Sequence, residues 1–210
     1  MNGPYTYPFP AHYITTDIVI FTFRHSHLNV LLVERGMSPY QGHWALPGGF
    51  LRPDEELEAC ARRELAEETA LKHFFMEQFT TVGTLGRDPR GRVVTVGYLA
   101  LVRWQPGIRG GTDARDARWF RADQMPKLAF DHGDLIVAAR IRLEQMLAAK
   151  PMLFLQFLPE EFTIEQMQSL QDAILAETPE RRNFFRKASS AGRGNSKVRR
   201  MALPPPRPRG

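Results

Sequence analysis

Carboxylate side chains are concentrated in one short stretch of the chain. Glu64, Glu67 and Glu68 are spaced three and four residues apart, so they share one face if the segment is helical. Carboxylates gathered in this way repel one another unless a positive charge binds them. Their oxygens are hard ligands, suited to a Mg²⁺ or Mn²⁺ ion that bridges substrate phosphates. The spacing therefore indicates a divalent-cation site, where the metal would polarise a phosphorus atom for attack by water.

Neighbouring residues fit the same chemistry. Arg63 can hold a carboxylate in position through bidentate hydrogen bonds. Gly48 and Gly49 let the backbone approach closely, and a free carbonyl at Gly49 could join the metal shell. The alternative is a solvent-exposed acidic helix with Glu–Arg pairs, and any three of these acids taken alone would favour that alternative.

The complete pattern changes this balance. Gly49 is followed after five residues by Glu55 and, after seven more, by Arg63-Glu64-Leu65-Ala66-Glu67-Glu68-Thr69-Ala70-Leu71. This 23-residue pattern resembles the Nudix box, and every fixed position matches except the last glycine, which is Ala70 here. Ala70 lies where the chain would leave the helix, a place where glycine eases a left-handed turn. The replacement of this glycine by Ala70 removes no metal ligand.

The resemblance implies a set of site residues and an activity. The positions that match the metal shell of Nudix hydrolases are Gly49 (through its carbonyl), Glu55, Glu64, Glu67 and Glu68. Arg63 orients this shell, so the implied catalytic set is Arg63, Glu64, Glu67 and Glu68. Nudix hydrolases cleave a nucleoside diphosphate linked to a further group, by water attack on phosphorus, with Mg²⁺ or Mn²⁺ as the cofactor.

The elements that must position these residues can be predicted from the pattern of the chain. Segments rich in β-branched and aromatic residues predict strands at Tyr13–Phe23, Asn29–Val33, Phe75–Leu85, Val93–Trp104 and Arg118–Arg121. Helix formers without glycine or proline predict a helix over Leu57–Leu71, and an amphipathic pattern predicts another over Asp131–Ala149. We therefore expect an α/β fold, a Nudix α/β/α sandwich with a mixed sheet, over residues 1–150.

A charged loop outside the box bears on the substrate. Arg87, Asp88 and Arg90 lie in it, and its arginines could clamp a phosphate or stack on a base, unless the loop is only a solvated turn. Two parts of the sequence carry a further resemblance: the run from Glu77-Gln78-Phe79 through Arg87-Asp88-Pro89-Arg90 to Tyr98, and Ala129-Phe130-Asp131-His132. They resemble the ADP-ribose pyrophosphatases and the Nudix-related transcriptional regulators of NAD metabolism. This resemblance makes ADP-ribose the leading ligand. The general base is left open, with Asp88, Asp113 and Asp116 as candidates.

The chain after Pro151 predicts a second unit. Thr163 and Gln166 match a capping box, and Thr178-Pro179 is typical of the start of another helix. Residues 151–190 resemble the winged helix-turn-helix segment with which the Nudix-related regulators bind double-stranded DNA. The candidate DNA-binding residues are Arg181, Arg182, Asn183, Arg186 and Lys187, whose types contact phosphates and base edges. The alternative is a packing or dimerisation appendage with a basic surface.

Charge and composition set further limits. The net charge of +5 divides into +9 for residues 179–210 and −4 for the 178 residues before them. Residues 191–210 are rich in Ser, Gly, Arg and Pro and are predicted to be a basic disordered tail, whose prolines indicate a truncated wing strand. A single cysteine, Cys60, excludes an internal disulfide. The absence of a long apolar run or a secretory signal favours a cytoplasmic protein with no membrane contact.

Two functions follow from these features. The first is a metal-dependent pyrophosphohydrolase that acts on ADP-ribose or a related compound. The second is a DNA-binding regulator that senses ADP-ribose with little or no hydrolysis. The resemblance to the Nudix-related regulators also implies a homodimer. The sequence ranks hydrolysis first because every metal-ligand position of the box is filled.

Overall fold

A computed structural model describes residues 12–69, 74–104, 114–159, 161–174 and 198–199 of the chain; at positions 68, 69, 114, 115, 198 and 199 it describes the backbone alone. The strands are β1 Tyr13–Arg24, β2 His27–Arg35, β3 Trp44–Ala45, β4 Gly48–Phe50, β5 Phe75–Val82, β6 Val93–Leu101, β7 Ala114–Arg121, β8 Glu161–Phe162 and β9 Val198–Arg199. The helices are α1 Leu57–Thr69, α2 His132–Ala149, α3 Ile164–Ile174 and a 3₁₀ helix, Pro151–Gln156. Within the described ranges, none of these helices is both long and apolar enough to cross a membrane.

The first seven strands form one mixed sheet with β1 at its centre. The order along its main path is β3-β2-β1-β6-β5, while β4 pairs with β1 and β7 pairs with β2. Strands β1 and β6 run parallel over Tyr13–Phe21, and the other pairs are antiparallel. Because successive side chains of a strand point to opposite faces, β1 must be apolar on both faces if both are covered. The mixed sheet expected from the sequence is confirmed.

Helices cover both faces of this sheet. Val19 and Phe21 of β1 pack on one face with Leu143 and Leu147 of α2. Ile18 and Ile20 of the same strand point to the other face, where Ala61 and Leu65 of α1 cover them. The predicted α/β/α sandwich is therefore confirmed, and α1 is held against the sheet by the apolar side of the helix that carries the glutamates.

The segment after Pro151 packs into the same apolar core as the sheet. Phe154 of the 3₁₀ helix and Leu170 and Ile174 of α3 are fully or almost fully buried in the cluster that contains Phe21 and Leu143. The predicted capping box is confirmed at the start of α3. The Thr163 backbone N–H donates to Gln166 Oε1 at 2.9 Å, and the Gln166 N–H donates to Thr163 Oγ1 at 3.2 Å. The second helix predicted at Thr178-Pro179 lies outside the described residues.

Strand β4 joins the sheet to the glutamate helix. It runs antiparallel to the first half of β1, with Gly49 opposite Thr16 and Gly48 opposite Asp17. A Cβ atom on Gly48 would lie 2.1 Å from the Thr16 carbonyl oxygen, so only glycine allows this approach of two backbones. The paired glycines therefore bring the strand that precedes α1 next to the buried centre of the sheet.

The shared core predicts the effect of truncating α3. Leu170→Ala should lower the free energy of unfolding of the whole chain by about 2–5 kcal/mol, because it opens a cavity in the core that also supports the sheet. The control Met152→Ala removes a side chain that is 55% exposed and should change stability by less than about 0.5 kcal/mol. Urea unfolding followed by tryptophan fluorescence measures both. An unchanged transition of the sheet in Leu170→Ala would show that α3 is not part of its core.

Candidate functional site

A cavity of about 510 Å³ opens beside β4 and the second half of α1. Its walls come from six parts of the fold: β1, the end of β2, the region from β3 to the loop after β4, α1, the loop before β6 and the start of α2. Polar and charged side chains dominate the lining, among them Asp17, Glu34, Arg35, Arg63, Glu64, Glu67, Arg87, Asp88, Arg90 and His132. The cavity therefore collects residues of the box together with the charged loop that the sequence connected with the substrate.

Arg63 is the centre of the acidic cluster. Its guanidinium donates to both oxygens of Glu55, with nitrogen–oxygen distances of 2.7 and 2.9 Å, and its Nη1 donates to Glu64 at 2.6 Å and Glu67 at 3.2 Å. The hydrogen bonds from Arg63 are the main reason that the pKa of Glu55 is lowered to about 2. The orienting role that the resemblance gives to Arg63 matches this geometry, because one side chain contacts three of the predicted metal-site carboxylates.

Glu64 lies directly beside the backbone of Gly49. A Cβ atom on Gly49 would stand 2.1 Å from Glu64 Oε1, so the missing side chain leaves the space that the carboxylate occupies. The Glu64 side chain is only 13% exposed, and this burial raises its pKa although Arg63 acts in the opposite direction. A buried carboxylate with a raised pKa is stabilised in its charged form by any additional cation nearby.

The donor set suits a hard divalent cation. Glu64 and Glu67 both reach the same nitrogen of Arg63, and the Gly49 backbone adjoins Glu64, so oxygen donors are gathered at one point. Among the described side chains, however, no three His, Cys, Asp or Glu residues are arranged to hold a metal ion. The side chain of Glu68, the remaining predicted ligand, is outside the description. The ligand atoms at the predicted positions are therefore of the kind that Mg²⁺ or Mn²⁺ prefers. Their arrangement around a metal ion stays a prediction.

Arg87 is buried at the base of the cavity and is held by carboxylates. Its side chain is 5% exposed and donates twice to Asp131, at 2.7 and 2.9 Å, and once to Asp17, at 3.4 Å. The sequence predicted Arg87 as a substrate-binding residue but did not predict Asp17 or Asp131. A signal for Asp17 exists, since it is a charged residue that directly precedes the apolar run Ile18–Phe21 of the buried strand β1.

His132 completes this buried group. Its Nδ1 accepts a hydrogen bond from the Leu46 backbone N–H at 2.8 Å. Because Nδ1 is an acceptor, this geometry is that of a neutral imidazole whose proton resides on Nε2, and burial lowers the pKa of His132 in the same sense. That Nε2 lies 3.6 Å from Asp17 Oδ1. The sequence analysis mentioned His132 only as part of a resemblance, because a single histidine at a helix start has no spacing that identifies it.

Asp88 and Arg90 form a rigid pair at the cavity wall. Burial of Asp88 opposes its ionisation, but hydrogen bonds from the Arg90 guanidinium and backbone N–H outweigh burial and lower the pKa of Asp88. The guanidinium carbon of Arg90 lies 4.9 Å from the ring centre of Phe50 and 5.5 Å from that of Phe130. Arg90 is thus held between two rings. Phe130 itself has a φ of +52°, a strained conformation for an aromatic residue.

The other predicted residues fall in different places. Asp88, a candidate general base, is bound by Arg90, and Asp116 pairs with Arg118 away from the cavity lining. Asp113 lies outside the described residues. So do all five candidate DNA-binding residues, Arg181, Arg182, Asn183, Arg186 and Lys187.

Family models divide the chain into two matched segments. The sheet between helices and the glutamate–arginine cluster on α1 define a Nudix domain, and the NUDIX domain model matches residues 12–139. A second model, the NrtR DNA-binding winged helix domain, matches residues 154–193. This second match includes α3 and the five candidate DNA-binding residues.

Individual relatives agree with both models. The ADPR-responsive transcriptional repressor NtrR of Acinetobacter baylyi is 35% identical over 188 residues, 88% of this chain and 75% of the relative. The chain therefore belongs to the Nudix family, in the group that joins a Nudix domain to an NrtR winged helix domain. An ADP-ribose pyrophosphatase of Methanocaldococcus jannaschii is 36% identical over 107 residues, 51% of this chain and 63% of that enzyme.

One related protein has been solved in complex with DNA and, as its Nudix domain, in complex with ADP ribose. Shewanella oneidensis NrtR in complex with a 27mer DNA is 37% identical, with a TM-score of 0.68, covering 85% of this chain and 83% of that chain. The Nudix domain of the same protein in complex with ADP ribose is 47% identical, with a TM-score of 0.59, covering 64% of this chain and 90% of that chain. The fold and both segments of this chain thus have experimentally determined counterparts.

The contact between Gly49 and Glu64 predicts a separable effect on metal binding. In Gly49→Ala the new methyl group should push the flexible end of Glu64 away and weaken Mn²⁺ binding roughly 10-fold or more, with little change in stability. Gly133→Ala is the control, because a Cβ there meets only Leu128 at 3.8 Å. Mn²⁺ titration followed by electron paramagnetic resonance measures the affinity. Equal Mn²⁺ affinity in both variants would exclude Glu64 beside Gly49 from the metal shell.

Proposed function

We propose that this protein is an ADP-ribose-responsive DNA-binding transcriptional regulator. The observation that carries the proposal is the extent of the likeness to the Acinetobacter baylyi repressor, which runs through both the Nudix domain and the winged helix segment. A relative that only hydrolysed nucleotides would need no match beyond the Nudix domain. The sequence alone ranked hydrolysis first. The likeness to the repressor, which extends over 88% of this chain, supports the proposal that regulation is the main role.

The packing of α3 supports a connection between the ligand cavity and the DNA-binding segment. Strand β2 lines the cavity with Val33, Glu34 and Arg35 at one end. At its other end, the hydroxyl of Ser169 in α3 donates a hydrogen bond to Ser26 Oγ in the turn before β2, at 2.9 Å. Helix α2 offers a second connection, since it begins at His132 in the cavity and shares a core with α3. A ligand that shifts either element changes the support of α3.

DNA contact is proposed for the basic segment after α3. Arg181, Arg182, Asn183, Arg186 and Lys187 fall within the match to the NrtR winged helix domain, and the Shewanella oneidensis relative was solved with DNA. We further propose a homodimer, because two copies of one basic segment would read a two-fold symmetric site. Size-exclusion chromatography with light scattering tests the dimer, and a monomer at all concentrations would contradict it.

DNA binding should be specific, salt-dependent and sensitive to ADP-ribose. With a duplex selected by the protein from a random library, Arg182→Gln should weaken binding and reduce the slope of log affinity against log salt by about one. The control Arg121→Gln alters a surface arginine that pairs with Asp123. ADP-ribose should change the affinity of the unaltered chain for this duplex by about 5-fold or more. Fluorescence anisotropy measures all three quantities. Binding that ignores both sequence and ADP-ribose would contradict the regulator.

Hydrolysis is a second candidate function, supported by the box residues around Arg63. Glu64 and Glu67, with Gly49 and Glu68, would hold a Mg²⁺ or Mn²⁺ ion, which supplies charge neutralisation and activation of the phosphorus towards water. Arg63 would keep Glu55, Glu64 and Glu67 in position through the contacts described above. The ADP-ribose pyrophosphatase relative makes ADP-ribose the substrate to test. Binding and slow hydrolysis can coexist in one protein.

A single substitution tests the hydrolase. The chain incubated with ADP-ribose and Mg²⁺ should release AMP, and Glu67→Gln should reduce the rate by at least about 100-fold because a charged metal ligand becomes neutral. Glu58→Gln is the matched control, since Glu58 lies on the same helix but pairs with Arg62 at the surface. Chromatography of AMP gives the rates. Equal slow release by Glu67→Gln and the unaltered chain would eliminate this candidate.

A further inference from the structure

Three polar side chains at the base of the cavity are almost completely withdrawn from solvent. The exposed fractions of the Asp17, Arg87 and His132 side chains are 10%, 5% and 5%. All three line the cavity, on the side formed by β1, the loop before β6 and the start of α2. None of them belongs to the Nudix box. Their burial requires an explanation, because buried polar groups are nearly always hydrogen bonded.

Each of the three has a polar atom that the described part of the chain leaves without a hydrogen bond. Asp17 Oδ2 accepts a long bond from Arg87 at 3.4 Å, whereas Oδ1 has only the 3.6 Å approach of His132 Nε2. Arg87 uses Nε and Nη2, and its Nη1 has no partner among the described residues. His132 uses Nδ1 as an acceptor, so its Nε2–H is also available. The group thus offers one acceptor and two donors.

The charge of the group excludes phosphate as the preferred partner. The positive charge of Arg87 is more than balanced by Asp17 and Asp131, and His132 is neutral. A phosphate bound beside this group would contact two carboxylates and one arginine. The negative charges of the phosphate and the carboxylates would repel one another strongly in a buried site. The net negative charge disfavours an anion, and the two available N–H donors disfavour a cation, so the partner is an uncharged polar group such as a hydroxyl.

Hydroxyl groups match the available atoms. A hydroxyl donates one hydrogen bond and accepts others, so it can donate to Asp17 Oδ1 while it accepts from His132 Nε2 or Arg87 Nη1. In dinucleotide-binding folds, too, a carboxylate accepts hydrogen bonds from the hydroxyl groups of a ribose. Two neighbouring hydroxyls of one sugar ring can engage the acceptor and both donors together.

We propose that Asp17, supported by Arg87 and His132, binds the hydroxyl groups of a ribose ring of the ligand. The inference rests on the proposed ADP-ribose ligand and adds a sugar-binding subsite to the cavity. It also changes the expected role of Arg87. This arginine binds a sugar hydroxyl and holds Asp17 in position, and it does not bind a phosphate. Asp131 is a positioning residue, because it fixes the Arg87 guanidinium through two hydrogen bonds.

The test compares ligands on the full chain in a buffer with EDTA, by isothermal titration calorimetry. Three ligands are used: ADP-ribose and two analogues, each lacking the 2-hydroxyl of one of the two riboses. One analogue should bind the unaltered chain about 10-fold or more weaker than ADP-ribose, because a hydrogen bond to a charged group is lost. Asp17→Asn should weaken ADP-ribose binding and shrink that difference to less than about 3-fold.

Asp123→Asn is the matched control, since Asp123 is a surface residue paired with Arg121, and it should reproduce the affinities of the unaltered chain. Thermal unfolding verifies that Asp17→Asn is folded, and the ligand comparison on the unaltered chain stands without any variant. If the unaltered chain binds ADP-ribose but loses no affinity for either analogue, the group holds only water and the inference fails alone. If the unaltered chain does not bind ADP-ribose, the proposed function fails together with it.

Discussion

The guanidinium of Arg63 is the interaction on which the acidic site depends. Three carboxylates from α1 and the preceding loop lie within hydrogen-bonding distance of it, although their mutual repulsion would otherwise drive them apart. The apolar side of α1 holds the helix against the sheet, and Gly49 leaves space for Glu64. The partly buried guanidinium of Arg63, the apolar face of α1 and the missing side chain of Gly49 therefore concentrate carboxylates at a site where a divalent cation can bind.

The same cavity has a second, differently built side. Around Asp17, Arg87, Asp131 and His132 the two carboxylates outweigh the one arginine, so the group is negative and does not favour a phosphate. The acidic side suits a metal with phosphate, whereas the base of the cavity suits a sugar. A nucleoside diphosphate linked to a ribose carries both features in one molecule, which is why a single ligand can satisfy the whole cavity.

Local patterns were sufficient to predict much of this protein. The five longer strands and the two helices of the Nudix domain, the capping box at Thr163 and the grouping of Glu64 with Arg63 follow from spacings within single segments, whereas the short strands β3 and β4 were not predicted. The group around Asp17 could not be predicted in this way, because its members come from β1, a distant loop and the start of α2. The packing of α3 into the sheet core also escaped prediction, since an apolar stripe does not identify its partner. The DNA-binding residues, the homodimer and the cytoplasmic location stay predictions.

We propose that a cavity that binds ADP-ribose and a segment that binds DNA are energetically coupled in this protein through the shared core. Coupling of two binding sites is reciprocal, so the factor by which ADP-ribose changes DNA affinity must equal the factor by which DNA changes ADP-ribose affinity. The most direct measurement is a calorimetric titration of ADP-ribose into the full chain, with and without saturating duplex. We predict that the duplex changes the ADP-ribose dissociation constant by about 5-fold or more. An ADP-ribose affinity that is the same with and without bound duplex would contradict the account.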